Sequence, residues 1–494
     1  MKLRNGLLAS LITVASFVNA QETTVFHSTS SDYLFATMDA KHASDLHKMY
    51  PHSVQILQTH QNVSAVYLPE SMTSALENEL HLHGPAYVRH FSSSEAQDYL
   101  YKNTETRQQV ASFTITEQAI VNQLLSKTNP TKIEETILEL ENFGTRFHTS
   151  DQAIPAMEFI LNKWQSIINE SGRSDIHLSL YQHTNTPMPS VILTIDGNDD
   201  SNELVIIGGH ADSITPNSYS NPNTPAPGAD DNASGIATIT EVLRVLVESN
   251  FQPKKTIQIM AYSAEEVGLV GSKEIAADYK EQGKNVLGYV QFDMTNYQGS
   301  ANDLYLTTDS YIDNNLNLFL VELLENYNSS TSSHPISFGY TKCNYACSDH
   351  ESWARNGYAA AFPIESKFND YNKNIHSIND RYSVTGNSFQ AEKFAKLGLQ
   401  FLVEVAKSAK DMSTTNSSAT KFETVVNNKN LIYYLPNKTS VGVVQIIDLS
   451  GRVVLETAIK ASGELSIASL NSGLYLAIFK LKTGEILTSK FIVQ

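Results

Sequence analysis

A chain of 494 residues is too long for one hydrophobic core, so two to four domains are expected. With 41% hydrophobic and 18% charged residues it has the composition of an ordinary folded protein. A formal charge of −17 excludes a general nucleic-acid binder, whose affinity rests on Lys and Arg against phosphates.

Lys2 and Arg4 precede a short apolar run, "GLLASLITVASFV", and Val18, Asn19 and Ala20 stand before a cleavage point at Gln21. Residues 1–20 therefore read as an export signal, with an N-terminal anchor as the alternative. The run is too short for a typical spanning helix, and no later stretch is long enough to cross a bilayer. The mature protein is expected to be soluble outside the cytoplasm.

Residues 21–105 follow a strand-helix-strand-strand-helix-strand order: "YLFATMD", "KHASDLHKMY", "VQILQT", "VSAVYLP", "SMTSALENELHLH" and "AYVRHF". A two-layer ferredoxin-like α+β unit is expected, read as a prosegment. The polar stretch "SSSEAQDYLYKNTETRQQ" after it suits a proteolytic cut. Eight of the fifteen histidines fall in this unit. Solvated surface histidines are the favoured reading, and pH-sensitive release is the alternative.

Residues 106–410 alternate apolar strands ("SVILTID", "ELVIIGGH", "TIQIMAY", "VLGYVQFDM", "AAAFPIE") with helices such as "SGIATITEVLRVLVESN" and "SFQAEKFAKLGLQFLVEVAK". That pattern indicates an α/β domain with a mostly parallel, doubly covered sheet. Residues 411–420, "DMSTTNSSAT", read as a linker. From 421 to 494, short alternating strands between glycine-containing turns suggest a small β-sandwich. In an exported protein the two cysteines of "CNYAC", Cys343 and Cys347, are expected to form a local disulfide, with a free buried pair as the alternative.

Ligands in open α/β sheets bind at the carboxyl ends of the strands. His210 and Asp212 end "VIIGGHAD", Asp230 and Asp231 stand before a helix in "APGADDNASG", and Glu265 and Glu266 end "IMAYSAEEVG". Asp293 ends "YVQFDM", and His376 follows "PIESKFNDY". One aspartate at a helix start is more often a cap than a ligand. Histidines and carboxylates at successive strand ends are harder to explain that way, and a mixed set without cysteine suits zinc or a similar divalent ion. Five ligands exceed one catalytic zinc but fit two when one carboxylate bridges. Side chains on a regular strand alternate faces, so Glu265 and Glu266 require a turn, helped by Gly268. Glu266 then binds metal while Glu265 hangs over a shared, metal-bridged water and moves its proton. Neither a G-x-S-x-G elbow nor an H-E-x-x-H helix is present.

At these residues the sequence resembles the secreted bacterial leucyl aminopeptidases, two-zinc exopeptidases. The matching stretches are "IGGHADS", "APGADDNASGIA", "MAYSAEEVGLVGS", "QFDMTNYQGS", "CNYACSDH" and "ESKFNDYNKNIH", and similarity covers essentially 106–410. The resemblance implies a cofactor of two Zn2+. His210 and Asp293 would hold one, Glu266 and His376 the other, and Asp230 would bridge. It implies Glu265 as general base, Asp212 as the carboxylate orienting His210, and Tyr345 as a hydrogen-bond donor to the developing oxyanion. It implies a cis peptide between Asp230 and Asp231. Met294, Phe362, Ile364, Phe368, Tyr371 and Ile375 would line an apolar pocket for a first residue such as leucine, methionine or phenylalanine. The N-terminal unit would block the enzyme until removed. The tail, through "IDLSGRVV", "LNSGLYLAIF" and "SKFIVQ", resembles a type IX secretion sorting domain, with a sugar- or surface-binding β-module as the alternative.

These features predict a secreted or cell-surface aminopeptidase acting on peptides with free N-termini. It is expected to be a monomer without nucleic-acid partners, and to meet the secretion machinery through its tail. A glutaminyl cyclase-like enzyme on the same scaffold would need one zinc, whereas a full set of ligands is present. A carboxypeptidase would want a cationic clamp, and none is evident. A non-catalytic surface protein would show decay at Glu265 or Asp230, and both are in place.

Overall fold

The computed structural model describes residues 33–73, 76, 84–101, 113–199, 202–409, 424–427, 429–433, 442–448, 452–459, 463–482 and 486–493. The expected export signal at 1–20, the linker at 411–420 and most of the helix expected at "SMTSALENELHLH" lie outside them.

In the N-terminal unit, β1 (Tyr33–Asp39) leads into a helix, Ala40–Met49, whose first amides are capped by the Asp39 carboxylate. With β2 (Gln55–His60), β3 (Val63–Pro69) and β4 (Val88–His90) it forms an antiparallel sheet of order β2-β3-β1-β4. That order fits the expected ferredoxin-like arrangement. Although "YLFATMD" alternates apolar and polar residues, the pattern of a strand with one buried face, β1 is buried on both faces. Leu34, Ala36 and Met38 share a cluster with Tyr345, Phe362 and Ile364, while Phe35 packs on Ala65, Ala96 and Leu100. The stretch read as suited to cleavage begins as a helix, Ser93–Tyr99, capped by Ser92 and tied down by a hydrogen bond from Tyr99 to Glu351. Its later part, 102–109, lies outside the described residues. His90 is not a surface histidine: it is buried 2.9 Å from the Thr37 hydroxyl.

The central sheet contains β5 (Ile176–Tyr181), β6 (Ser190–Ile195), β7 (Glu203–His210), β8 (Thr256–Tyr262) and β9 (Asn285–Gln291). Two further strands, β10 (Leu304–Thr307) and β11 (Phe338–Thr341), lie outside it, and β12 (Ala360–Ala361) completes it in the order β12-β9-β7-β8-β6-β5. Pairing is parallel from β12 through β8 and antiparallel at β6 and β5. Successive residues of β7 face opposite layers. Val205 and Ile207 meet the helices Gly235–Glu248 and Phe389–Ala406, and Leu204 and Ile206 meet Val270–Glu281. The sheet is therefore covered on both faces, and its parallel strands read as continuous apolar runs for that reason. "AAAFPIE" is not one strand. After β12 the chain crosses over, and β13 (Pro363–Ile364) pairs with β10 in a separate sheet, where Pro363 brings no N–H to the ladder.

At the C-terminal end, β14 (Thr424–Asn427), β15 (Asn430–Tyr433), β16 (Gly442–Asp448), β17 (Val453–Ile459), β18 (Gly463–Ser466), β19 (Gly473–Leu481) and β20 (Ile486–Val493) form two sheets, β14-β15-β18 and β17-β16-β19-β20. Leu431, Val444, Ile446, Phe479 and Phe491 share one core between them, as in a sandwich. Among the described residues no helix is long and apolar enough to cross a membrane.

Candidate metal centre

His210 is the last residue of β7 and Asp293 follows β9, so the parallel strands deliver both to one sheet edge. Asp231 precedes the helix Gly235–Glu248, Glu266 follows β8, and His376 comes from the loop after β13. All five are buried. They form two groups of converging ligand atoms that share one residue: His210, Asp231 and Asp293, then Asp231, Glu266 and His376. His210 Nε2 lies 3.2 Å from Asp231 Oδ1 and 3.3 Å from Asp293 Oδ1. His376 Nε2 lies 3.1 Å from both Asp231 Oδ2 and Glu266 Oε2. Ligands bonded at ~2.0 Å in a tetrahedron stand about 3.3 Å apart, so both groups have the spacing of a tetrahedral ion's edges.

The donor chemistry fits cations as well. His210 Nδ1 lies 3.2 Å from the Asp212 carbonyl, an acceptor only, which places the ring proton there and turns the Nε2 lone pair toward carboxylate oxygens. Glu266 Oε1 and both oxygens of Glu265 are buried without a hydrogen-bond donor among the described residues. Leaving carboxylate oxygens so would be costly, and a cation answers them. The electrostatics agree. Burial opposes protonation of His210, yet Asp293 and Glu265 pull its pKa well above the ordinary value. Burial, aided by Asp231, pushes the Glu266 carboxyl up to about 8 against the pull of His376.

The structure moves one expected ligand. Asp230 was expected to bridge, but its oxygens accept from Asn296 N at 3.2 Å and Asn372 Nδ2 at 3.0 Å. Asp231 reaches both histidines instead. The two carboxylate oxygens of Asp380 accept the amides of Asp230 and Asp231, each at 3.0 Å, and so fix the backbone of both neighbours. The cis peptide likewise lies between Asp231 and Asn232, not between Asp230 and Asp231.

Asp212 does more than face His210, 3.4 Å from its Nδ1. Its oxygens accept the amides of Glu265 and Glu266 at 3.0 and 3.1 Å. This clamp, with positive φ at Ala264 and Gly268, makes the turn that the adjacent glutamates require. Cys343 and Cys347 are bonded, and the buried Tyr345 between them packs edge-on against Phe368 at 5.8 Å. Phe362 and Ile364 join the same cluster, Phe368 borders it, and Tyr371 stands 6.0 Å from Phe368. Met294 and Ile375 are buried directly beside the candidate ligands Asp293 and His376.

Three further residues shape the site. Ser348 donates to Asp293 Oδ2 at 2.6 Å. Asp380 holds the Asp230–Asp231 pair. Arg146, fully buried, donates to the carbonyls of Ala211, Pro227 and Gly228, joining the two loops that carry His210 and Asp231. Ser348 and Asp380 stood inside or near recognised stretches, but a lone arginine in "FGTRFHT" carried no signal.

The profile of Peptidase family M28 matches residues 190–401, and that of the secretion system C-terminal sorting domain matches 426–494. Leucine aminopeptidase 1 of Ajellomyces capsulatus strain G186AR is 36% identical over 275 residues, covering 54% of this chain and 68% of that protein. Its counterpart in Coccidioides posadasii strain C735 is 33% identical over 303 residues, covering 59% and 74%. Among solved structures, LapB of Legionella pneumophila aligns with a TM-score of 0.66 at 27% identity, over 76% of this chain and all of that one. The LapA aminopeptidase of the same organism gives 0.66 at 26%, over 77% and 100%. The chain belongs to peptidase family M28, as a zinc-type aminopeptidase that its C-terminal sorting domain marks as secreted or cell-surface.

Proposed function

We propose that the protein removes single residues, leucine and other large apolar ones foremost, from the free N-termini of peptides. The observation that carries this reading is the sharing of Asp231 between two ligand groups, with the Glu265 carboxylate, unpartnered among the described residues, beside them. His210 and Asp293 would hold one zinc, Glu266 and His376 the other, and Asp231 would serve both. Two such ions, when bound, polarise the scissile carbonyl and acidify the attacking water. Glu265 accepts the proton of that water and returns it to the leaving amine, while the Asp212 clamp holds its backbone amide in place. Tyr345 donates to the oxygen on which charge develops. Met294, Phe362, Ile364, Phe368, Tyr371 and Ile375 give the first side chain apolar walls.

The N-terminal unit is proposed to silence this site. Arg89 N donates to Gly268 O at 3.0 Å, and Arg89 Nε to Val267 O at 3.1 Å, so β4 is fastened to the loop that follows the two glutamates. Gly84 lies so close to the disulfide loop that a Cβ there would stand 2.5 Å from Cys347 O. His42 packs edge-on against Tyr345 at 5.6 Å.

The test is hydrolysis of leucine p-nitroanilide against its N-acetyl analogue, before and after proteolytic removal of the N-terminal unit. Cleavage of the free amine alone, increased by the cut, is expected. Equal cleavage of both substrates, or of neither with zinc supplied, overturns the reading.

A further inference from the structure

A cavity of about 880 Å³ opens where the N-terminal unit meets the sheet domain. Tyr345, Phe368 and Tyr371 border it, and so do three exposed lysines, Lys342, Lys367 and Lys373. We propose that this cleft receives the part of a peptide substrate beyond its first residue, and that these lysines make it a subsite for acidic side chains. The inference rests on the roles given above to Tyr345 and the apolar pocket.

Three observations carry it. The cleft bridges the right places: one wall is the tyrosine assigned to the reacting carbonyl, continuous with residues assigned to the first side chain. A second, smaller cavity beside Glu266 and His376 has only about 30 Å³, room for one water and not for a peptide.

The charge of the cleft also runs against that of the molecule. In a chain of net charge −17, the walls formed by residues 340–345 and 367–373 carry three lysines against one aspartate. That aspartate, Asp370, already accepts from the Ser300 hydroxyl at 2.6 Å. Among the described residues no salt bridge engages Lys342, Lys367 or Lys373, while Lys373 Nζ stands 3.4 Å from the centre of the Tyr371 ring. A concave site lined by one sign of charge concentrates ligands of the other.

Finally, the N-terminal unit sets a carboxylate at this cleft. Asp39 lines it together with Lys41 and His42, whose amides Asp39 caps. When that unit leaves, Asp39 and Lys41 leave with it, and the three lysines of the sheet domain remain. An acidic residue of the substrate would then take the position that Asp39 vacates.

The experiment uses the full chain, folded intact, cut between residues 102 and 112 by limited proteolysis and then freed of the clipped N-terminal unit by further digestion. kcat/KM is measured for Leu-Glu-Glu and Leu-Lys-Lys peptides, with leucine p-nitroanilide as the reference in every preparation. The acidic peptide is expected to be favoured about tenfold at low salt, and the ratio to fall toward one near 0.5 M salt, roughly where screening becomes short-ranged. In the variant Lys342→Gln, Lys367→Gln, Lys373→Gln the ratio is expected near one already at low salt. Turnover without charge preference, or a preference that survives both salt and the triple substitution, overturns the subsite and leaves the aminopeptidase reading standing. Absence of turnover on any of the three substrates overturns the reading of the site and the subsite with it.

Discussion

Replacing Asp231 and Asp230 separately by asparagine decides which of the two neighbouring carboxylates joins the histidines. Asp231 Oδ1 lies 3.2 Å from His210 Nε2, and its Oδ2 lies 3.1 Å from His376 Nε2. Asp231→Asn therefore takes a charged oxygen from both ligand groups at once. Losing a residue that merely orients a ligand costs ~10–100-fold in metal affinity, so losing a shared ligand should exceed about 100-fold at each position. Asp230→Asn is a different injury. The new amide can still accept one of the bonds now given by Asn296 N and Asn372 Nδ2, but its NH2 faces the other donor. A buried donor left without an acceptor costs about 1–3 kcal/mol, felt as lost stability with the metals retained. The assay is zinc per chain by mass spectrometry after dialysis, with thermal unfolding beside it. If Asp230→Asn emptied the site while Asp231→Asn kept two ions, the assignment of the bridge would be refuted.

Four other perturbations follow from the same contacts. Glu265→Gln should keep both metals and lose ~10²–10⁴-fold in kcat, and loss of zinc from it would mean that the glutamates are wrongly assigned. Ser348→Ala removes the donor to Asp293 Oδ2 and should weaken one zinc by ~10–100-fold in a competitive chelator titration, whereas unchanged affinity would exclude that support. Arg89→Ala loses the ion pair with Glu70 and the bond to Val267 O, so the uncut chain should gain activity on leucine p-nitroanilide; silence equal to wild type would mean that β4 is not the fastening. At the same interface, burial would raise the Glu95 carboxyl, but His90 and Lys273 hold it well below its ordinary 4.5. Its contribution to docking is thus complete above 4.5 and is lost only as the pH falls well below that value. A clipped N-terminal unit should co-elute with the enzyme at pH 5.5 as at pH 7, and release near pH 6 would restore histidine protonation as the trigger.

Three of the candidate ligands, His210, Glu266 and Asp293, were legible because each stands at or just after the end of a strand, a position that polarity and β-propensity mark in the sequence. The choice between Asp230 and Asp231 was not. Both are buried carboxylates before one helix, and what separates them is Asp380, 149 residues away from Asp231, gripping both amides. Similarly, "AAAFPIE" reads as one apolar strand, since nothing local says that Ala361 pairs with Val290 while Ile364 pairs with Tyr305. Alternation in "YLFATMD" suggested one buried face. The second face is buried by a tertiary partner, the helix Ser93–Tyr99 that covers Phe35, and local pattern carries no information about that.

The long-range contacts missing from the sequence reading have a common electrostatic logic. Asp212, Asp231, Glu265, Glu266, Asp293 and Asp380 are all buried around one sheet edge, and like charges at such distances oppose folding. Arg146 is the buried cation facing them, and burial holds even its guanidinium down to about 10 against their pull. Backbone amides supply further compensation: Asp212 takes two and Asp380 takes two, so these carboxylates are satisfied before any metal arrives. Among the described residues Glu265 Oε1 and Oε2 receive none, and Glu266 Oε1 receives none. The protein thus divides its buried acids into those that build the turn and those left for chemistry. The paired glutamates that made this stretch conspicuous belong to the second kind, supported by an aspartate of the first.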